Sequence, residues 1–526
     1  MVLAALIASA LLIPHLDFVP MWDGWAYAEC AVDVAANRFA PYFLRCYGHP
    51  AYAYSGILGA AQLVDLGNPA ALLVVNAVLF AAGAFGFHTL MRRAFPGPDQ
   101  ETDVALVTAA FVLQPAFLAA IVQPSLDLPV LVGTVWCTLL LVERRWFWCA
   151  LVGTALAFSK ETGLLLYGVV LACYALWSFI RTGGGLAARV RAVLPLWPTV
   201  APFVAYAGYV VAFLIARPGQ SPIWAAGDDL PFGVKAVTAS IDSGVASYLA
   251  LLFVLNFAWI PALGVAAAIV VGLARRVLRR PAPPSASGDP AVIGYLVLAA
   301  IATLVALTRV ITYSNVRYLM AGTAVFLGVA FIALLSLPLS APVRRAALGG
   351  YVALLAVSVV RTVDPVSKRL WGTFAFGSHR MLDMTRITGE CCGAGRDQLT
   401  YSLEFTRLHE VTDSVLTTLM RDTTTVVALP SDMAYHAIGR LDRTTWKRTL
   451  RRNGAFEPVV MTGPIDVRTE APRSLLYIAV PNAKDSTALT RLASVYHVGP
   501  ERRFQSDGYA LSAYQLYRKN TSLASP

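Results

Sequence analysis

Residues Ala51 to Leu66 read AYAYSGILGAAQLVDL, and the topology of the whole chain turns on whether this stretch crosses a membrane. A transmembrane helix needs roughly 20 mostly apolar residues, so length alone does not decide. The surrounding apolar segments are 2–19, 69–91, 104–121, 126–142, 146–159, 162–180, 193–216, 246–274, 291–308, 316–337 and 344–361. Suppose 51–66 stays out of the membrane and the N-terminus starts inside. Then Arg92-Arg93, Arg144-Arg145, Arg181 with Arg189 and Arg191, Arg275-Arg276 with Arg279-Arg280, and Arg344-Arg345 all fall on the cytoplasmic side. That is the asymmetry the positive-inside rule demands. If 51–66 spans, every cluster moves outside. The segment is therefore expected as a juxtamembrane helix at the outer interface, with Tyr52 and Tyr54 as interfacial aromatics and Pro50 at its start.

Composition agrees with a membrane protein. The chain has 526 residues, of which 57% are hydrophobic and 14% charged, with mean hydropathy +0.61. A soluble domain is about 25% charged. The formal net charge is +11, which in a soluble protein would suggest nucleic acid. Here the arginines sit in short runs at the ends of apolar segments, so no nucleic-acid partner is expected. The expected fold class is a polytopic α-helical membrane protein of about eleven spans. Its location is an inner or plasma membrane, with the N-terminus cytoplasmic and the tail outside. Residues 1–14 lack a charged leader and a cleavage site and are taken as the start of the first span.

The expected division is a membrane module over 1–361, containing an outer loop at 20–68, and a small extracytoplasmic α/β domain over 362–526. In the tail the apolar runs shorten and charge rises. Residues 399–421 predict a helix; 424–429, 475–480 and 510–517 predict strands; 486–495 predicts a further helix. The inner linker 281–290, PAPPSASGDP, is a flexible turn. Of the seven cysteines, Cys137, Cys149 and Cys173 fall in apolar segments as small buried hydrophobes. Cys30 and Cys46 share the outer loop, where a disulfide between them is compatible with an oxidising compartment. Cys391 and Cys392 are adjacent in the tail.

Ionisable groups gather at the outer ends of the spans, where they are costly and tend to be functional. Asp23 ends the first span between Trp22 and Trp25. His49 closes the outer loop. Asp127, Lys160-Glu161, Arg309 and Arg317-Tyr318 follow at later spans. Each has a plainer reading. Asp23 and Asp127 suit helix caps, Lys160-Glu161 a solvated turn, Arg317 an interfacial snorkeller, and His49 a loop-orienting residue. Glu29 and Asp33, four apart, suit one solvated helix face.

The ordered set is Trp22-Asp23 with Tyr27-Ala28, His49-Pro50-Ala51-Tyr52, Arg92-Arg93, Pro124-Ser125-Leu126-Asp127, Ser159-Lys160-Glu161-Thr162-Gly163 and Val316-Arg317-Tyr318. It resembles the GT-C superfamily of polyprenyl-phosphate-dependent glycosyltransferases, nearest the protein O-mannosyltransferase and aminoarabinose-transferase branch, over roughly residues 1–340. Two departures stand out: Asp23 is followed by Gly24 where the family often has Glu, and His49-Pro50 is followed by Ala51 rather than a second Pro. The second acidic role is therefore open among Glu29, Asp127 and Glu161.

The resemblance implies a lipid-phosphate sugar donor entering from the membrane and an acceptor hydroxyl (on protein, lipid or glycan) arriving from outside. Transfer needs a base and a cation for the departing phosphate. Asp23 is the expected base. Arg317 and then Lys160, with Arg309, are the expected phosphate ligands. Asp127, Glu161 and Tyr318 are expected to hold the cations or the sugar, and His49 to shape the donor entrance. No essential metal is expected, although Asp23, Glu29, Asp127, Glu161 and His49 are compatible with a divalent ion. A transporter or lipid flippase with an outer-facing polar cavity is the alternative, and a scaffold presenting the tail is a weaker rival.

Overall fold

The computed structural model describes residues 23–38, 49–66, 68–217, 252–278, 288–310, 316–359, 365–371, 373–376, 379–383, 426–429, 459–462, 474–479, 486–506 and 509–519, with a few isolated residues besides. By its contacts the chain divides into two units. The first comprises 1–14, 42–57 and 73–401, the second 15–41, 58–72 and 402–526. Most of the expected first span, and residues 246–251 of the expected span 246–274, lie outside the described residues.

The decisive segment is a helix, but a short one. Helix α2 covers Tyr52–Gln62, 11 residues, and follows helix α1, Asp23–Ala36. At 1.5 Å per residue α2 is about 16 Å long, half of what a bilayer core requires. Its first turn is fixed by Ala51 N–H to the His49 carbonyl, 2.7 Å, and Ser55 N–H to Ala51, 2.9 Å. Tyr54 is fully buried. Its hydroxyl donates to Asn76 Oδ1 at 2.6 Å, and Asn76 in turn donates to the Ile121 carbonyl at 3.2 Å. Burial raises the Tyr54 pKa, so this donor keeps its proton.

Among the described residues, six helices are long and apolar enough to cross a membrane, or seven if one bent pair is a single span. The protein is thus a multi-pass membrane protein, although the count of eleven is not reached among these residues. They include α3, Pro69–Ala94, and the helical run Leu186–Ala216, which contains a 3-10 turn. The span expected at 104–121 differs in shape. It is two helices, α4 (Glu101–Val112) and α5 (Pro115–Val122), bent by 54°. Pro115 has no N–H to continue the ladder and forces Gln114 into extended backbone, ψ 121°. The Gln114 side chain donates back to the Ala110 carbonyl, 3.2 Å, which offsets part of the break.

Helices α6 (Asp127–Val142) and α7 (Trp146–Ala157) are shorter than a span. They reverse direction at Arg144, which has φ +58°. Helix α8 follows at Glu161–Arg181, then α9 (Leu186–Val193), a 3-10 turn over Leu194–Val200, and α10 (Ala201–Ala216). After α11 (Trp259–Val277) and α12 (Pro290–Val310), a 3-10 turn over Val316–Leu319 leads into α13, Met320–Ser336. Two-thirds of α13 is buried within the protein, so it is a central helix of this bundle. Helix α14, Ala341–Ser358, packs on α4.

Ion pairs close the arginine-rich helix ends. Arg344 Nε donates to buried Asp103 at 2.8 Å. Glu143, ending α6, is held by Arg93 at 2.7 Å and Arg145 at 3.2 Å. Asp127 begins α6 and Glu143 follows its last residue, so about 24 Å of helix separates the Glu143 pairs from the acid–cation cluster described below.

The second unit contains a six-stranded mixed sheet of order β4-β3-β5-β8-β6, with β7 on β8. Its strands are β3 (Val426–Leu429), β4 (Val459–Thr462), β5 (Ser474–Ala479), β6 (Tyr496–Val498), β7 (Arg502–Ser506) and β8 (Tyr509–Arg518). Strands β3, β4 and β5 are parallel, while β5 and β8 are antiparallel. Helix α16, Ser486–Val495, covers one face through Leu475, Tyr477, Leu492, Tyr496 and Leu516. (Helix α15, Pro365–Trp371, and β1, Thr373–Phe376, which pairs with β2, His379–Asp383, belong to the first unit.) The expected strands at 424–429, 475–480 and 510–517 and the helix at 486–495 are present. In the expected 399–421 helix, Val411, Val415 and Leu419 are helical and buried; the rest lies outside the described residues. Strands β4, β6 and β7 were not anticipated. RRFQS in β7 has no apolar alternation, and only pairing with β8 makes it a strand.

Candidate functional site

The site grows from a tight helix reversal. Helices α7 and α8 meet at Ser159-Lys160, and the closure depends on Gly163. A Cβ there would lie 2.2 Å from the Leu156 carbonyl oxygen, an impossible contact, so only glycine lets α8 start this close to the end of α7. Gly153 makes a second close approach, with the Tyr167 ring against it. At the turn Lys160 is fully extended, φ −168° and ψ 153°.

From that position Lys160 reaches Asp127. Its Nζ donates to Asp127 Oδ1 at 2.7 Å. Arg317 Nε stands 3.5 Å from Asp127 Oδ2. All three residues are buried, at 7–9% exposure. Asp127 is the first residue of α6, but its carboxylate caps no helix. Ser125 Oγ takes the Asp127 backbone N–H at 3.2 Å instead. The carboxylate is thereby available to the two cations, and the plain reading of Asp127 as a cap gives way.

Tyr318 completes the group. Lys160 Nζ lies 4.4 Å and Arg317 Cζ 4.9 Å from its ring centroid, within cation–π range. The Arg317 guanidinium also donates to the Tyr318 hydroxyl at 3.0 Å. Buried like this, Arg317 is not a snorkelling residue and Lys160 is not on a solvated turn. Among the described residues one carboxylate meets two cations, and Arg317 has a further interaction besides these; two buried cations so held suit an anionic oxygen group.

Next to it, Glu161 bonds His49 Nδ1 at 2.9 and 3.1 Å. Glu161 lies in the first turn of α8, where the helix dipole favours a carboxylate. The α2 entrance is also tied to this turn by Ala53 N–H donating to the Phe158 carbonyl, 2.9 Å. Behind the pair stands an aromatic wall. The Tyr52 hydroxyl donates to that of Tyr209, 3.2 Å, and Phe158 packs between Tyr52, Tyr206 and Tyr209. Burial raises the Tyr52 pKa, opposed by Tyr209 and Arg217.

Of the residues expected from sequence, Asp127, Lys160, Arg317 and Tyr318 form one cluster, and His49 with Glu161 a pair beside it. Asp23 and Glu29 lie on α1 and Arg309 on α12, but their side chains fall outside the described residues. Cys30 is disulfide-bonded; its partner, whether Cys46 or a tail cysteine, lies outside them too. No group of three or more His, Cys, Asp or Glu that could hold a metal occurs among the described residues. Sequence reading overlooked the site contacts of Tyr206 and Tyr209. The 3-and-4 spacing of Tyr206, Tyr209 and Phe213 along α10 was the available signal.

No protein-family model matches the chain, and no curated protein does. Solved structures do. ArnT from Cupriavidus metallidurans in the apo state aligns with TM-score 0.58 at 14% identity, covering 97% of each chain. The same protein bound to undecaprenyl phosphate aligns with TM-score 0.56 at 14% identity, covering 100% of this chain and 99% of that one. At this identity the likeness is one of architecture, and it runs the length of both molecules: the chain has an ArnT-like fold, in line with the expectation from its ordered motifs.

Proposed function

We propose that this protein is a membrane glycosyltransferase that moves a sugar from a polyprenyl-phosphate donor to an acceptor hydroxyl on the outer side of the membrane. The observation that carries the reading is the buried Asp127–Lys160–Arg317–Tyr318 cluster. Two buried cations converging on one carboxylate suit a lipid-linked phosphate. Support also comes from the shared architecture with an ArnT structure bound to undecaprenyl phosphate.

In this reading Lys160 and Arg317 hold the phosphate and stabilise the charge that develops as the glycosidic bond breaks. Arg309 is a further candidate ligand. Asp127 keeps both cations oriented. Asp23 takes the acceptor proton as the hydroxyl attacks the anomeric carbon from the opposite face, which inverts that centre. The pair His49–Glu161 shapes the donor entrance. Residues 1–361 form the catalytic module, with the N-terminus cytoplasmic, and 362–526 an extracytoplasmic accessory domain. Glu29 and the identity of the acceptor stay open.

The test is to incubate purified protein with a panel of polyprenyl-phosphate sugars and identify products by mass spectrometry. Release of free polyprenyl phosphate coupled to a glycosylated acceptor is the expected result. Movement of intact lipid across the bilayer without bond cleavage would replace the enzyme by a flippase.

A further inference from the structure

The arginine end of the bundle carries a second feature, at the elbow between α8 and α9. The helical run Leu186–Ala216 has 31 residues, and with its 3-10 turn at about 2.0 Å per residue and the rest at about 1.5 Å it is about 50 Å long. A bilayer core is about 30 Å thick, and the span expected at 193–216 takes the later part of this run, which leaves α9 beside it at the arginine end. Together with the turn that follows, the residues of α9 carry a stripe that no other described part of the protein covers. Leu186, Val190, Leu194 and Trp197 recur at helical spacing and are 70%, 50%, 65% and 74% exposed. Arg189 and Arg191 border the stripe on its two sides, and Arg181 ends α8 just before it. No acid occurs between Arg181 and Val200. A basic, apolar-striped helix of this kind suits the headgroup region of an anionic leaflet.

One arginine is specifically poised. The Arg189 guanidinium stacks on the Phe179 ring, 5.6 Å from its centroid. Its Nε is buried and has no hydrogen-bond partner among the described residues. The stacking fixes the plane of the guanidinium, and a phosphate oxygen is the acceptor its fork fits best. Gly185, the N-cap of α9, brings no side chain to cap the helix, so its first N–H groups face the same elbow.

We propose that the Arg181–Arg191 elbow binds an anionic phospholipid of the leaflet at the arginine end, its headgroup phosphate accepting from Arg189 while the Leu186–Trp197 stripe lies among the acyl chains. This site stands about 30 Å along α8 from Glu161 and does not depend on the glycosyltransferase reading.

The test uses full-length protein reconstituted in phosphatidylcholine alone or mixed in equal parts with phosphatidylglycerol, with retained lipid counted by native mass spectrometry. Wild type should retain phosphatidylglycerol selectively. An arginine near an anionic surface is worth about 1 kcal/mol, or about fivefold. Arg189→Gln should therefore lower retention about fivefold, and Arg189→Gln with Arg191→Gln about 25-fold. Arg189→Lys, which keeps the charge but removes the planar fork, should also lose retention. Equal retention of both lipids would overturn the proposal. So would displacement of lipid by inorganic phosphate, which would mark a free-anion site, or an equal loss in Arg276→Gln, which would mark diffuse surface charge.

Discussion

Lys160 and Asp127 meet at 2.7 Å with both side chains 9% exposed. Their partners Arg317 and Tyr318 arrive from the turn before α13. Removing one member of a buried pair leaves an unpaired charge, at about 3–5 kcal/mol. Asp127→Asn should lower stability by that order, because two cations then face each other. The double variant Asp127→Asn with Lys160→Met should recover part of the loss. Thermal unfolding in detergent measures this coupling, and strictly additive losses would show the pair to be independent.

Lys160→Met should also cut turnover about 10²–10³-fold, the scale of losing one preorganised donor to developing charge. Arg317→Ala should raise the donor concentration needed for half-maximal rate as well. Steady-state kinetics with a polyprenyl-phosphate sugar checks both. Unchanged donor dependence in Arg317→Ala would move the phosphate elsewhere.

Asp23→Asn should abolish transfer by about 10²–10⁴-fold, the scale of a general base, while the protein stays inserted and folded. Near-normal turnover would remove Asp23 as the base and leave Glu29, Asp127 and Glu161 to be tested in its place.

Gly163→Ala places a methyl group 2.2 Å from the Leu156 carbonyl oxygen. Relief requires α8 to shift, at about 1–3 kcal/mol. The shift carries Lys160 away from Asp127, so activity should fall further than stability. A variant with wild-type melting temperature and rate would show that the reversal has slack.

Tyr54→Phe removes the hydroxyl that donates to Asn76 at 2.6 Å. The buried amide is left short of a partner, at about 1–3 kcal/mol. Loss of stability without change in the catalytic rate would confirm Tyr54 as an anchor of α2. A wild-type melting temperature would argue that a water replaces it.

Class and outline were legible in the chain itself. A bilayer leaves no water for backbone groups, so a spanning segment must be a helix or a closed barrel, and a local apolar run betrays its place. Hence the span ends near Arg92-Arg93 and Arg181, and the short helix after Pro50, could be read from local runs. The bend at Pro115 was missed because a hydropathy window averages over a single absent N–H. Strand β7 was missed because its conformation comes from β8 and not from its own residues.

The sequence could nominate Asp127, Lys160 and Arg317 as costly ionisable groups, yet it could not say which carboxylate each cation would meet. Asp127 and Lys160 are 33 positions apart, and neither carries a local signal of the other. Their meeting depends on Gly163 closing α8 onto α7 and on Ser125, not the Asp127 carboxylate, taking the first N–H of α6. Pairing of charges is a matter of distance through space, and only the packed helices set that distance.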